Sequence, residues 1–118
     1  MTDCPGCEIA GTMAGVFRAL GDVNRLKICY LLANDTGGSL GVSDLARILG
    51  ISQPAVSQHI RKLAAVKIVE TRKEGYRVFF SFNRKMMAEY HRNYEFLYRS
   101  VMEKCNQDTA RKTGRRKP

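Results

Sequence analysis

The sequence predicts a mainly helical domain that carries one small β-hairpin. Three observations point that way. Apolar residues recur at helical spacing along most of the chain, in runs broken by Gly, Asn, Asp and Ser. One short stretch, Lys67 to Phe82, changes period and is rich in β-branched and aromatic residues. The length of 118 residues, 44% of them hydrophobic, suits one compact core, and there is no internal repeat or long linker.

The elements follow in order. Ile9, Met13, Val16, Phe17 and Leu20 predict a first helix from about Glu8 to Leu20. Gly21 and Asp22 interrupt it, and Asp22 is suited to cap a second helix carrying Leu26, Ile28, Cys29, Leu31 and Leu32. NDTGGSLG reads as a loop. Ser43 is expected to cap a short third helix, SDLARILG, closed by Gly50. Ser52 caps the fourth, with Gln53 and Pro54 in a first turn where proline costs no hydrogen bond. KIVETR and YRVFFSF then pair as a hairpin joined by KEG, with Gly75 supplying the positive φ of a tight turn. Asn83 starts a last helix that runs to about Cys105 and carries Met86, Met87, Tyr90, Tyr94, Leu97, Tyr98 and Val101. The predicted organisation is an N-terminal cysteine-containing segment (1–7), a folded domain (8–105) and a basic, disordered tail (106–118).

The third and fourth helices, joined by Gly50-Ile51-Ser52, form a helix-turn-helix unit. On the fourth, Val56, Ile60 and Leu63 face the core. Pro54, Gln58, Arg61 and Lys62 point outward, with Ser57 and His59 on the flanks. An ordinary solvated helix would show Glu and Lys where this one shows short neutral polar groups. Gln and Ser can hydrogen-bond base edges in the major groove of DNA, and Arg61 and Lys62 suit backbone phosphates. Arg72, Lys73, Tyr76 and Arg77 make the hairpin a basic wing beside the reading helix. The net charge of +9 favours a polyanionic partner, and the tail ARKTGRRKP carries only five of those charges.

No stretch approaches the roughly 18 apolar residues of a membrane span. The start, MTDCPGCEIA, is no secretory signal, so a cytoplasmic protein without a membrane partner is expected. An enzyme is not expected either. There is no Gly-rich phosphate loop and no paired-carboxylate signature, and the Cys-x2-Cys pair lacks the βαβ unit of a redox catalyst.

VFRALGDVNRLKICYLL, followed by VSDLARILGISQPAVSQHIRKLAAVKIVETRKEGYRVFFSFN, resembles the ArsR/SmtB family of winged-helix transcriptional repressors over about residues 13–105. The resemblance implies a winged helix-turn-helix homodimer joined through its first and last helices. It implies binding to a two-fold symmetric double-stranded operator and release by an inducer, with no cofactor needed for DNA binding. By the same analogy Ser52, Gln53, Ser57, Gln58 and His59 are the groove-reading positions. Family metal sites on other helices have no counterpart here. The helix before the turn has no cysteine, and Arg84, Met86, Leu97 and Ser100 stand where the last helix would carry ligands.

Sensing therefore falls to thiols. Cys4-Pro5-Gly6-Cys7 is read as a chelating loop of free thiols. The resemblance implies that this segment runs beside the last helix, of the same or, often, the partner subunit, so Cys105 is expected to complete a three-thiolate site. Such a site suits As(III), Cd(II), Pb(II) or Hg(II), or Zn(II) with a fourth ligand. A redox or persulfide switch using cysteine pairs is the alternative, and a non-sensing architectural nucleic-acid binder is a further one. Cys29 sits at an apolar position and is expected in the core.

Overall fold

The computed structural model describes residues 4–35 and 37–113, with side chains as far as Glu103. Its elements are α1 (Pro5–Leu20), α2 (Val23–Ala33), α3 (Val42–Leu49), α4 (Gln53–Ala65), β1 (Val69–Glu74), β2 (Arg77–Phe82) and α5 (Arg84–Thr113). The core gathers one face of each of the first four helices and the inner face of the hairpin. Val16, Ile28, Leu45, Val56, Leu63, Ile68 and Val69 are its most deeply buried side chains. Truncating Leu63 to Ala would cost about 2–5 kcal/mol.

The expected caps at Asp22, Ser52 and Asn83 are present. Asp22 Oδ1 accepts from the backbone N–H groups of Asn24 (2.8 Å) and Arg25 (3.2 Å). Asn83 Oδ1 accepts from Met86 N–H at 3.0 Å. The third cap differs from expectation. α3 starts from Gly41, whose N–H donates to the Asp44 carboxylate at 3.0 Å, so Ser43 lies inside the first turn. A carboxylate three residues into a helix reaches back to the preceding N–H better than Ser43 can from within it.

α1 also begins earlier than its apolar spacing suggests. Pro5 and Gly6 form its first turn, and Cys4 is the N-cap, with its sulfur accepting from Cys7 N–H at 3.1 Å. Pro5 to Cys7 thus belong to the first helix and are not a separate loop. At the other end α5 continues to Thr113, into the stretch expected to be a tail. Its apolar pattern fades near Cys105, but Glu, Lys, Gln, Ala and Arg sustain a helix on propensity.

β1 and β2 pair antiparallel from Val69↔Phe82 to Glu74↔Arg77. The connection is the two-residue loop Gly75-Tyr76, shorter than KEG suggested. Positive φ at Gly75 (+65°) is the signature of a type II′ turn, whose twist matches the strands.

α4 hands over to β1 through a left-handed residue, Lys67 (φ +64°). Lys67 N–H donates to Ala64 O (2.9 Å) and Ile68 N–H to Leu63 O (3.1 Å), the two bonds of a Schellman end. Asn83 N–H donates to Ile68 O at 2.7 Å, which fastens the hairpin base to the same junction.

Polar and aromatic contacts hold α5 along its first half. Arg84 donates to Ala33 O at the end of α2, and Tyr90 Oη donates to Val66 O at 2.8 Å. Phe17 of α1 meets Tyr94 edge-on at 5.6 Å. No helix among the described residues is long and apolar enough to cross a membrane.

Candidate nucleic-acid interface

α4 buries Val56, Ile60 and Leu63 and presents Gln53, Pro54, Gln58, Arg61 and Lys62 to solvent, with Ser57 half-buried beside them. Ser52 Oγ accepts from Ala55 N–H at 3.1 Å, so its oxygen serves the cap while its hydroxyl proton remains available. The helix N-terminus and its flanking neutral side chains together offer donors to bases and phosphates.

His59 lies on the flank of α4, as expected, and its ring has partners within the protein. Its side chain is 17% exposed and leans toward α2. Nδ1 lies 3.1 Å from Nη1 of Arg25, and Nε2 lies 3.9 Å from Asp22 Oδ1. Guanidinium only donates, so Nδ1 accepts this bond. Arg25 also donates through Nε to Ala19 O and through Nη2 to Arg18 O (3.4 Å). One arginine thus joins the end of α1, the start of α2 and the middle of α4. The sequence reading missed it, though a signal existed. A cation in the first turn of a helix opposes the helix dipole, and such a residue needs tertiary compensation. Asp22 responds to this cluster. Desolvation raises its pKa, but the Arg25 and Asn24 N–H bonds and the nearby Arg25 charge outweigh that. Its carboxyl is held below the usual value.

On the wing, Lys73, Tyr76 and Arg77 are exposed, and Tyr76 at the tip is 98% exposed. Arg72 is less free than expected. It pairs with Glu74 (3.1 Å), donates to Gly38 O (3.2 Å) and lies 5.0 Å over Phe79. Arg72 and Phe79 are cross-strand partners on one face, so the guanidinium is drawn onto the ring rather than outward. Arg77 covers the same ring at 5.0 Å.

The cysteines separate into two kinds. Cys29 is buried in the core, as expected, and desolvation pushes its thiol up to about 11. Cys4 and Cys7 are exposed and joined as a disulfide, where free thiols were expected. Consecutive helical placement of the N-cap and its third residue brings the two sulfurs together. The Cys105 side chain lies outside the described residues. Its backbone position is informative all the same. Gly6 faces the Phe96 ring, and Cys105 stands nine residues farther along α5, about 13 Å at roughly 1.5 Å per residue. Within one protomer the Cys4–Cys7 turn and Cys105 are therefore at different levels. No group of three or more His, Cys, Asp or Glu able to hold a metal occurs among the described residues.

Two apolar surfaces remain open. One runs along α5 and α1 through Tyr94, Phe96, Tyr98, Val101, Met102 and Phe17. The other is a groove of about 360 Å³ between α2 and α3, bordered by Val23, Leu26, Tyr30 and Ile48.

Comparison with known proteins places this geometry. The model of the family described as "Bacterial regulatory protein, arsR family" matches residues 22–71. A cadmium resistance transcriptional regulatory protein CadC homolog from Staphylococcus aureus is 42% identical over 69 residues, 58% of this chain and 55% of that protein. The chain spans about half the length of the curated relatives it matches. The crystal structure of NolR from Sinorhizobium fredii is 30% identical, with 81% of this chain and 95% of that one covered and a TM-score of 0.63. An ArsR-like transcriptional regulator from Rhodococcus sp. RHA1, at 24% identity, shares the fold with a TM-score of 0.73 over 85% of this chain and 92% of its own.

Proposed function

The chain belongs to the arsR family of bacterial regulatory proteins, and from that premise we propose a homodimeric cytoplasmic repressor that leaves its operator when a soft ion binds its cysteines. The observation that carries the DNA half is the face of α4. Neutral Gln53, Ser57 and Gln58 stand exposed or half-exposed at a helix N-terminus, with Arg61 and Lys62 one turn on and a basic wing alongside. In this reading Ser52, Gln53, Ser57 and Gln58 address bases. Arg61, Lys62, Lys73, Tyr76 and Arg77 address the backbone, and His59 and Arg72 hold the reading surface in place. The open apolar strip on α5 and α1 is the surface a second copy would cover.

The inducer half rests on thiol chemistry. Cys4 and Cys7 share one exposed helical turn, and reduced they offer two thiolates to As(III), Cd(II), Pb(II) or Hg(II), or to Zn(II) with more ligands. Cys105 of the partner subunit is the third candidate. A relative named for cadmium resistance supports a soft-ion inducer. One observation favours a second reading: Cys4 and Cys7 are joined as a disulfide, the form that an oxidised thiol switch would take.

Fluorescence anisotropy of reduced protein on its own upstream DNA tests both. One equivalent of arsenite or Cd(II) per subunit should release the DNA, and the Cys4→Ser/Cys7→Ser variant should resist release. If the ions do nothing while a disulfide donor releases the DNA, the redox reading replaces the metal one.

A further inference from the structure

A concave surface of about 410 Å³ lies on the flank of α4 facing α1, lined by Gly15, Arg18, Ala19, Arg25, Lys62 and Ala65 among its residues. Its charged lining is entirely cationic, and its other walls are small, so a bulky anion can approach the backbone. Arg25 is committed to Ala19 O, Arg18 O and His59. Arg18 and Lys62 are exposed and make no ion pair among the described residues. Two helices, α1 and α4, end here, and each C-terminus carries roughly half a negative charge. Three full cations exceed that requirement by about two charges. Arg25 does the capping, since it donates to the last carbonyls of α1, and this leaves Arg18 and Lys62 with their donors free.

We propose that this surface is a phosphate cradle for the DNA backbone, in which Arg18 and Lys62 grip one strand beside the reading helix. The inference rests on the DNA-binding reading above and adds α1 to the contact surface. Arg25 is its positioning residue, neutralising carbonyls that would otherwise repel a phosphate. With Lys73 and Arg77 on the wing, the reading helix would be flanked by cations at two separate places.

Salt dependence tests this without knowledge of the operator. The full-length protein is titrated onto a random duplex by anisotropy across a range of chloride concentrations. Removing one phosphate contact lowers the slope of log K against log salt by about 0.9, so a dimer should lose about 1.8. Arg18→Gln should show that loss and Arg18→Lys should retain the wild-type slope. A wild-type slope in Arg18→Gln, with an unchanged circular dichroism spectrum, overturns the cradle but leaves DNA binding by α4 standing. Absence of DNA binding by the wild type overturns both. A third arm adds inorganic phosphate at constant ionic strength. If phosphate displaces DNA from the wild type but not from Arg18→Gln, the free anion competes with the backbone for this surface and the cradle is supported; equal displacement from both proteins counts against it.

Discussion

Nη1 of Arg25 lies 3.1 Å from Nδ1 of His59, and this bond joins the start of α2 to the middle of α4. The imidazole therefore holds α4 in place, whereas Gln58 next to it is exposed. Gln58→Ala should lower the ratio of operator to random-DNA affinity about tenfold or more, the worth of one base contact. His59→Ala should weaken binding to both DNAs and lower the melting temperature. Parallel titrations on the two duplexes decide it, and a selective loss in His59→Ala alone would reverse the two roles.

Cys29 should behave as a core side chain. With its thiol at about 11, only roughly a thousandth is ionised at pH 8, and burial blocks access as well. Iodoacetamide labelling of the reduced, folded protein, read by mass spectrometry, should modify Cys4 and Cys7 well before Cys29. Cys29→Ala should cost about 1 kcal/mol or more in urea unfolding. Unchanged stability together with lost induction would make Cys29 a sensor instead.

Asp22 ties stability to acid. Its folded pKa lies below the ordinary aspartate value of 3.8, so its cap contributes fully above that pH. The contribution is lost as pH falls through the lower, folded value. Asp22→Asn keeps a capping oxygen but removes the titration. Its melting temperature should therefore change less between pH 6 and pH 3 than that of the wild type. Two parallel pH profiles would contradict the assignment.

Lys67 holds a positive φ that a side chain makes costly. Lys67→Gly should stabilise the protein by about 0.5–1 kcal/mol, seen as a higher urea midpoint at constant slope. A lower midpoint would mean that the Lys67 side chain contributes more than its backbone strain costs.

Much of this architecture was legible in the residues. Helical period, the caps at Asp22, Ser52 and Asn83, and the turn glycines Gly50 and Gly75 each act within a few positions of sequence. Ser43 misled because Asp44 competes for the same cap from one residue away. The partners of His59 and Arg72 were not legible, for a longer-range reason. Those partners, Arg25 and Gly38, each lie 34 residues distant, and no local pattern announces them. Pro5 hid the true start of α1, since the apolar rhythm begins only at Ile9. Arg18 and Lys62 were visible as charges, but only packing of α1 against α4 puts them on one surface.

The junction at Val66-Lys67-Ile68 has a consequence for the operator. Reading helix and hairpin are joined by three residues pinned through Lys67 N–H, Ile68 N–H and Ile68 O. They can turn only as one tool, so in the proposed binding mode the base-pair count between a groove contact and its neighbouring wing contact would be fixed by the protein. Adjustment between two subunits would instead be taken up at the centre of a palindrome. An inserted base pair should then be tolerated better between half-sites than within one.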